Sequence, residues 1–206
     1  MKKLAFTMLE LVFVIVVIGI LAAMVIPRLD RDNRFEAATQ VLNHIKYTQH
    51  LAMTEDVYDD GVANWFLQRW EIEFDGAGCY SVHSDRDMDA LPAENLEAAF
   101  DPQTRKRLWA PAGCAMPQAA TDFEKMNLAG YFDVIGIVTN GCGGGGSAIS
   151  FDTLGRPYDD TNTINGVIRQ NCQITLNFNT GAPEIIRIHP ETGYSCILDA
   201  AGANCL

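Results

Sequence analysis

The feature that most constrains this chain is an uncharged apolar run close to its amino terminus. The run extends from Leu11 to Ile26, and the segment counted from Phe6 has 21 residues. A helix of about 20 apolar residues is long enough to cross a hydrocarbon layer of roughly 30 Å. The run therefore predicts a membrane-spanning helix over residues 6–26.

One acidic residue, Glu10, lies near the start of this segment. A carboxylate in a membrane-length apolar segment costs on the order of a few kcal/mol unless it is paired, so it marks a functional position. The next basic residue is Arg28, about five helical turns away, while Lys2 and Lys3 precede the run. If the chain is cut after Ala5, its new terminal ammonium lies in the same layer. We expect Glu10 to pair with that ammonium in a neighbouring copy.

Together these signals resemble the amino-terminal signal of type IV pilins and pseudopilins. The resemblance rests on a short basic leader followed by Phe6, Thr7, Glu10, the run Gly19–Ala23 and Pro27. The glycine that usually precedes the cut in that family is the small residue Ala5 here. An ordinary secretory signal has a shorter apolar region that ends in small residues at the cut site.

The resemblance implies roles for individual residues. A prepilin peptidase would cut between Ala5 and Phe6, and Phe6 would then be N-methylated. The positions that the resemblance links to assembly are Thr7, Glu10, Gly19 and Pro27. Because proline removes a helical hydrogen bond and crowds the preceding turn, we expect a kink or local melting over residues 19–27.

Charge and cysteine content indicate where the chain resides. The 206 residues carry a net charge of −11 and include six cysteines, which suggests an oxidising compartment. Lys2 and Lys3 precede the apolar run, and positive charge stays in the cytoplasm. We therefore expect a single-pass inner-membrane protein with a cytoplasmic amino terminus and a periplasmic head. The acidic balance disfavours nucleic acid as a partner.

Beyond Pro27 a second helical pattern follows. Apolar residues recur at helical spacing, namely Phe35, Ala38, Val41, Leu42, Ile45 and Ala52. This spacing predicts an amphipathic helix whose apolar stripe is buried on a sheet. The resulting organisation is a leader (residues 1–5), a helix (6–55, membrane-spanning over 6–26 and amphipathic over 27–55) and a β-rich head (56–206).

The residue pattern of the head predicts mainly strands joined by short turns. Alternating or apolar stretches predict strands near residues 66–74, 79–83, 131–138, 147–151, 174–178, 186–188 and 194–198. Short helices are expected near 93–100 and 121–128. Consecutive strands with short turns pair antiparallel. The predicted fold class is therefore α+β, with the carboxyl-terminal half of the long helix packed on one antiparallel sheet.

Three stretches of the head make the resemblance to pseudopilins more specific. Ile149–Pro157, Ile174–Leu176 and Pro190–Tyr194 are similar to the head domain of the GspH/FimT group of minor pseudopilins. This resemblance implies a subunit of the type II secretion pseudopilus. Its partners would be other pilin or pseudopilin subunits and an inner-membrane assembly platform with its ATPase. Residues 84–146 are not covered by the resemblance.

The cysteines are Cys79, Cys114, Cys142, Cys172, Cys196 and Cys205. Six cysteines allow many pairings, and the sequence does not choose among them. We favour Cys196–Cys205, because a short loop closes easily after the last strand. For the other four we adopt Cys79–Cys114 and Cys142–Cys172 as working pairs. A metal site is disfavoured because no two cysteines have the C-x-x-C spacing.

No cofactor, catalytic or metal site is predicted. Asp85, Asp87 and Asp89 have the opening spacing of a calcium loop, but Ala90 and Leu96 replace its glycine and its bidentate glutamate. They are therefore expected to form a solvated acidic loop, with calcium as a weak alternative. Three histidines, His44, His50 and His83, are interpreted as isolated surface residues.

The sequence therefore predicts a non-enzymatic minor pseudopilin that is processed by prepilin peptidase and assembled through its amino-terminal helix. Two alternatives stay open. One is a minor type IV pilin that serves pilus assembly, adhesion or DNA uptake. The other belongs to a different class, a membrane-anchored periplasmic binding protein or enzyme.

Overall fold

A computed structural model describes residues 8–86, 88, 97–114, 122–143, 147–159, 165–199 and 201–206, with all their side chains except those of 22–32 and 112. Several predicted sites lie outside the described residues, namely Ala5, Phe6, Thr7, Asp87 and Asp89. Position 27 lies in a helix, but the side chain of Pro27 is outside the described set.

Within the described residues the chain forms one long helix, one short helix, three 3-10 turns and two sheets. The helices are α1 (Met8–Thr54) and α2 (Leu128–Phe132). The 3-10 turns are Trp65–Gln68, Ala112–Cys114 and Glu124–Met126. The strands are β1 (Trp70–Asp75), β2 (Cys79–Ser84), β3 (Val134–Asn140), β4 (Ala148–Phe151), β5 (Pro157–Asp159), β6 (Cys172–Phe178), β7 (Glu184–Ile188) and β8 (Ser195–Ile197).

The strands form two four-stranded sheets rather than the single sheet predicted. Their orders are β2-β1-β4-β5 and β3-β6-β7-β8, and every neighbouring pair is antiparallel. The prediction of an α+β chain with antiparallel pairing is therefore confirmed. Alternation of side chains shows that a strand is half-buried, but it does not identify the partner strand. That is why the division into two sheets was missed.

The register of each sheet places apolar side chains on one buried face. In the first sheet Ile72 lies opposite Val82, and in the second Ile174 lies opposite Ile186. All four residues are fully buried. Along β1 and β6 buried positions alternate with half-buried ones, as expected for strands with one face on the core.

Two strands begin later than predicted because helical turns precede them. Residues 65–68 form a 3-10 turn, so β1 starts at Trp70 rather than at Phe66. Tyr131 belongs to α2, whose Asn127 side chain caps the helix by accepting a hydrogen bond from the Gly130 amide at 2.9 Å. Asp133 ends α2 in a left-handed conformation, and β3 follows.

The carboxyl-terminal half of α1 packs on both sheets. Its fully or almost fully buried apolar residues are Ala37, Ala38, Val41, Ile45 and Ala52. Contacts reach β1 and β4 of the first sheet and β7 and β8 of the second. Burying one side chain of the size of Ile45 stabilises the fold by about 1.5–3 kcal/mol. Phe35 was expected in the buried stripe but is 49% exposed, because the buried face begins at Ala37.

The prediction that the chain crosses a membrane is wrong. Across the described residues, no helix combines the length and the apolar character needed for a membrane span. A membrane span takes about 20 predominantly apolar residues in one helix. The prediction that residues 6–26 span a membrane is therefore not supported by the structure. The predicted location depended on that span. The prediction of a single-pass inner-membrane protein with a cytoplasmic amino terminus and a periplasmic head is therefore also wrong.

Helix α1 is unbroken over residues 19–27, where a kink or local melting was expected. Its 47 residues correspond to roughly 70 Å at the usual helical rise. The head covers only the carboxyl-terminal part of that length. The other end of α1 therefore extends beyond the sheets.

Three disulfides join parts of the head. They are Cys79–Cys114, Cys142–Cys172 and Cys196–Cys205, the same pairs that the sequence analysis preferred. Cys142–Cys172 ties the segment after β3 to the start of β6, and Cys196–Cys205 ties β8 to the end of the chain. In the chain-entropy description, loops of these lengths stabilise a fold by about 2.5–4 kcal/mol each, the least for the short Cys196–Cys205 loop.

Candidate functional site

The most unusual surface of the molecule is the amino-terminal part of α1. Every side chain from Met8 to Leu21 is exposed. The exposed fraction of the large apolar side chains ranges from 40% at Val17 to 89% at Met8. We call this stretch the apolar stem. Contiguous exposed apolar surface of this kind marks an interaction site, and a helix that is apolar on all sides is normally covered all round.

Glu10 is the charged residue of the apolar stem, and it lies in the first turn of α1. Of the other predicted assembly residues, Gly19 is also in the stem. A Cβ built on Gly19 meets no atom within 4 Å. Contacts inside the described chain therefore do not require glycine at position 19.

A buried polar cluster holds the opposite half of α1 to the head. Gln40 Nε2 donates to the Tyr80 hydroxyl at 2.9 Å and to the Lys125 carbonyl at 2.8 Å. The same hydroxyl lies 2.7 Å from His44 Nδ1. Because Gln40 donates to the tyrosine oxygen, the tyrosine hydrogen is available to His44. This arrangement fits a neutral His44 that accepts at Nδ1.

Burial determines the charge of this cluster. It lowers the pKa of His44 to about 4, and the nearby Asp101 only partly opposes it. It also raises the pKa of the Tyr80 hydroxyl well above its ordinary value, although the Gln40 hydrogen bond lowers it slightly. Both groups are therefore neutral at pH 7. Sequence reasoning missed this clamp, although the four-residue spacing of Gln40 and His44 places both on one helical face.

At its end, α1 meets two turns that belong to different sheets. Gln49 Nε2 donates to the Gly155 carbonyl at 2.8 Å and to the Thr192 carbonyl at 3.3 Å. Gly155 and Gly193 have positive φ angles of 77° and 65°, which favour glycine. A Cβ on Gly193 would overlap the Gly155 carbonyl oxygen. The two turns that carried the head resemblance, Asp152–Pro157 and Pro190–Tyr194, therefore meet at this helix.

The interpretation of the histidines as surface residues is wrong for two of the three. His44 and His83 are buried, while His50 is exposed. His83 Nε2 donates to a Glu71 carboxylate oxygen at 2.7 Å. Burial alone lowers the pKa of His83, but the hydrogen bond and charge of Glu71, with Glu73 and Glu97 nearby, outweigh it and raise the pKa.

The described part of the chain does not arrange the residues near His83 as a catalytic site. The hydroxyl of Ser81 donates to the Ala110 carbonyl at 3.2 Å, and that of Ser84 donates to the Gln68 carbonyl at 2.8 Å. Both serines are therefore engaged with backbone. Asp85 is described and half-buried, but its two calcium-loop companions are not described.

Comparison of the chain with protein-family models, with curated proteins and with solved structures finds no match in any of the three. Functional inference therefore depends on the residues and the geometry of the chain itself.

Proposed function

We propose that this chain is a subunit of a pseudopilin-type filament that assembles through the apolar stem. The observation that supports the proposal is the exposure of apolar side chains on all sides of Met8–Leu21. Such a helix needs a cover, and the matching cover is the same helix of other subunits, because identical apolar surfaces pack against one another without an uncompensated polar group. The head would remain on the outside of the filament.

In this proposal the chain is first cut after Ala5 by a prepilin peptidase, and Phe6 is then N-methylated. The new terminal ammonium of one subunit pairs with Glu10 of its neighbour. Because apolar side chains surround the pair, the local dielectric is low and the attraction is stronger than in water. The pair therefore sets the axial register between helices, while the rest of the stem supplies lateral packing.

The clamp on the head complements this role. Gln40, His44 and Tyr80 join the second half of α1 to the head through hydrogen bonds. A force applied along a filament of stems would then reach the heads. We assign the chain to the type II secretion branch because of the head resemblance, as a minor, non-enzymatic subunit. Its net charge of −11 is unsuited to binding nucleic acid.

The test of assembly is Glu10→Gln, which removes the charge and keeps the size. Intact-mass measurement of the variant should show removal of Met1–Ala5 and methylation of Phe6, as in the wild type. The yield of sedimentable filaments should fall about ten-fold, equivalent to ~1.4 kcal/mol. The matched control is Glu36→Gln, on the same helix but in a surface ion pair with Lys125 at 3.0 Å. Such a pair contributes about 0–1 kcal/mol, so filament yield should not change.

Two results would overturn the proposal. One is a cellular protein that still carries Met1–Ala5, and the other is a Glu10→Gln variant that polymerises as well as the wild type. The branch is tested separately by deleting the gene. If the deletion strain no longer releases enzymes into the culture medium, the result supports the assignment to type II secretion. If secretion is intact but pili, adhesion or DNA uptake are lost, the result indicates a minor type IV pilin.

A further inference from the structure

A pocket of about 420 Å³ lies where α1 ends, next to the turn between β4 and β5. This volume is within the range of small-molecule sites. Its lining includes Tyr58, Trp65, Arg69, Trp70, Arg156 and Tyr158. Aromatic side chains therefore form much of the wall. The pocket is separate from the apolar stem, and the inference drawn from it does not depend on filament assembly.

Arg69 is the central residue of this pocket. It is only 5% exposed, and its guanidinium carbon lies 3.9 Å from the ring centre of Tyr158 and 5.3 Å from that of Trp65. Its Nε is buried and has no hydrogen-bond partner among the described residues. The ion pairs between described residues do not include Arg69. Arginine stays charged when buried, so Arg69 is a cation held on aromatic faces, and it forms no ion pair with another residue that the structure describes.

Two acids that line the same pocket are already engaged by other donors. Glu55 accepts the Trp70 indole N–H at 2.6 Å and the Arg86 guanidinium at 3.0 Å. Asp152 accepts the Arg156 Nε at 2.7 Å, together with the backbone amides of Leu154 and Arg156. These hydrogen bonds engage both carboxylates, and neither of them forms one of the ion pairs found between described residues with Arg69. A buried charge without its own partner is costly, so the site is suited to an anion supplied from outside.

The charges and aromatic rings around Arg69 determine which class of anion the pocket favours. Arginine binds carboxylate and phosphate in a two-pronged geometry. The negative charges of Glu55, Asp56 and Asp152 along the same pocket oppose a doubly charged phosphate more than a singly charged carboxylate. The aromatic wall favours a flat apolar group beside the charge. We propose that this pocket binds a carboxylate borne next to an aromatic ring, with Arg69 as the anchoring residue.

Two sources offer this chemistry, a free aromatic acid and the carboxyl terminus of a peptide that ends in an aromatic residue. The full-length chain is titrated with phenylacetate and with a tripeptide that ends in phenylalanine. Phenylacetamide and the amidated tripeptide are the uncharged controls. Binding is followed by calorimetry and by tryptophan fluorescence, since Trp65 and Trp70 line the site. At least one carboxylate should bind saturably, and its uncharged control should bind at least ten-fold more weakly. The source that binds more tightly identifies the ligand.

The variant Arg69→Gln should weaken carboxylate binding at least ten-fold. The matched control is Arg34→Gln, which removes an arginine that donates to the Ala182 carbonyl at 2.9 Å elsewhere on the head. It should bind like the wild type. Leu154→Asp provides a second route if Arg69→Gln does not fold. Leu154 is 69% exposed at the pocket rim, and a negative charge there should weaken carboxylate binding without affecting the amides. Absence of saturable binding, equal binding of acid and amide, or wild-type affinity in both pocket variants would overturn the proposal.

Discussion

The two halves of helix α1 are continuous in backbone but opposite in environment. The apolar stem, Met8–Leu21, is exposed on all sides, whereas the second half buries small and branched residues such as Ala38 and Ile45 completely. The second half also places polar residues in a defined network with Tyr80. The difference shows that one half is organised by its own head. The other half leaves its apolar side chains exposed.

The largest expected contrast comes from truncating one isoleucine in each half. Ile45→Ala removes a fully buried side chain and should lower the free energy of unfolding by about 2–5 kcal/mol. Ile15→Ala, at a residue that is 60% exposed, should change it by less than about 0.5 kcal/mol. Thermal and denaturant unfolding of the purified chain measure both. Filament yield should fall for Ile15→Ala. Similar losses of stability in the two variants would contradict the division of the helix.

The second contrast concerns pH and the buried clamp. The pKa of His44 falls from an ordinary 6.5 to about 4 in the folded chain because of burial. Its contribution to stability is therefore present above pH 6.5 and is lost as the pH falls towards 4. The expected contribution is about 3 kcal/mol. Unfolding measured between pH 7 and 4 should show this loss in the wild type, and His44→Gln should flatten the profile.

The control for this pH profile is His50→Gln, an exposed histidine on the same helix. It should keep the wild-type slope. His83 acts in the opposite direction, because its raised pKa makes it stabilising below pH 6.5 and less so as the pH rises through the folded value. If His44→Gln and the wild type lose stability in parallel over the acidic range, the clamp does not hold a neutral histidine.

The smallest expected effect on stability comes from Gly19. Gly19→Ala enters open space and should change the free energy of head unfolding by less than about 0.5 kcal/mol. The matched head variant, Gly78→Ala, meets the Val134 carbonyl at a φ of 103° and should cost more than about 1 kcal/mol. Gly19→Leu should reduce filament yield with no loss of head stability. Unchanged filament yield would show that no neighbouring helix approaches position 19.

Several features were predictable from the chain because they depend on neighbours in sequence. The alternation at residues 70–74 and 174–178 identified half-buried strands, and the helical spacing of Ala38, Val41 and Ile45 identified the face that is buried. The membrane span was wrongly inferred from hydropathy alone. An apolar run indicates that a surface avoids water, but it does not indicate what covers that surface.

The pocket around Arg69 could not be predicted. Its walls come from residues 52–58, 65–70 and 151–158. None of these stretches contains a recognisable ligand motif. A buried arginine on a tyrosine face arises only when Arg69, just before β1, is brought beside Tyr158 of β5. The same is true of His83, whose pairing with Glu71 follows from the β1–β2 register.

By itself the sequence determined the long helix, the antiparallel character of the head and the position of one acid in an apolar stretch, because these follow from local periodicity and side-chain polarity. Only the tertiary structure decided that the strands divide into two sheets, that His44 and His83 are buried and that Arg69 faces a pocket. These properties depend on contacts between residues far apart in the chain, and the free energy of such contacts is set by burial and geometry that no local pattern encodes.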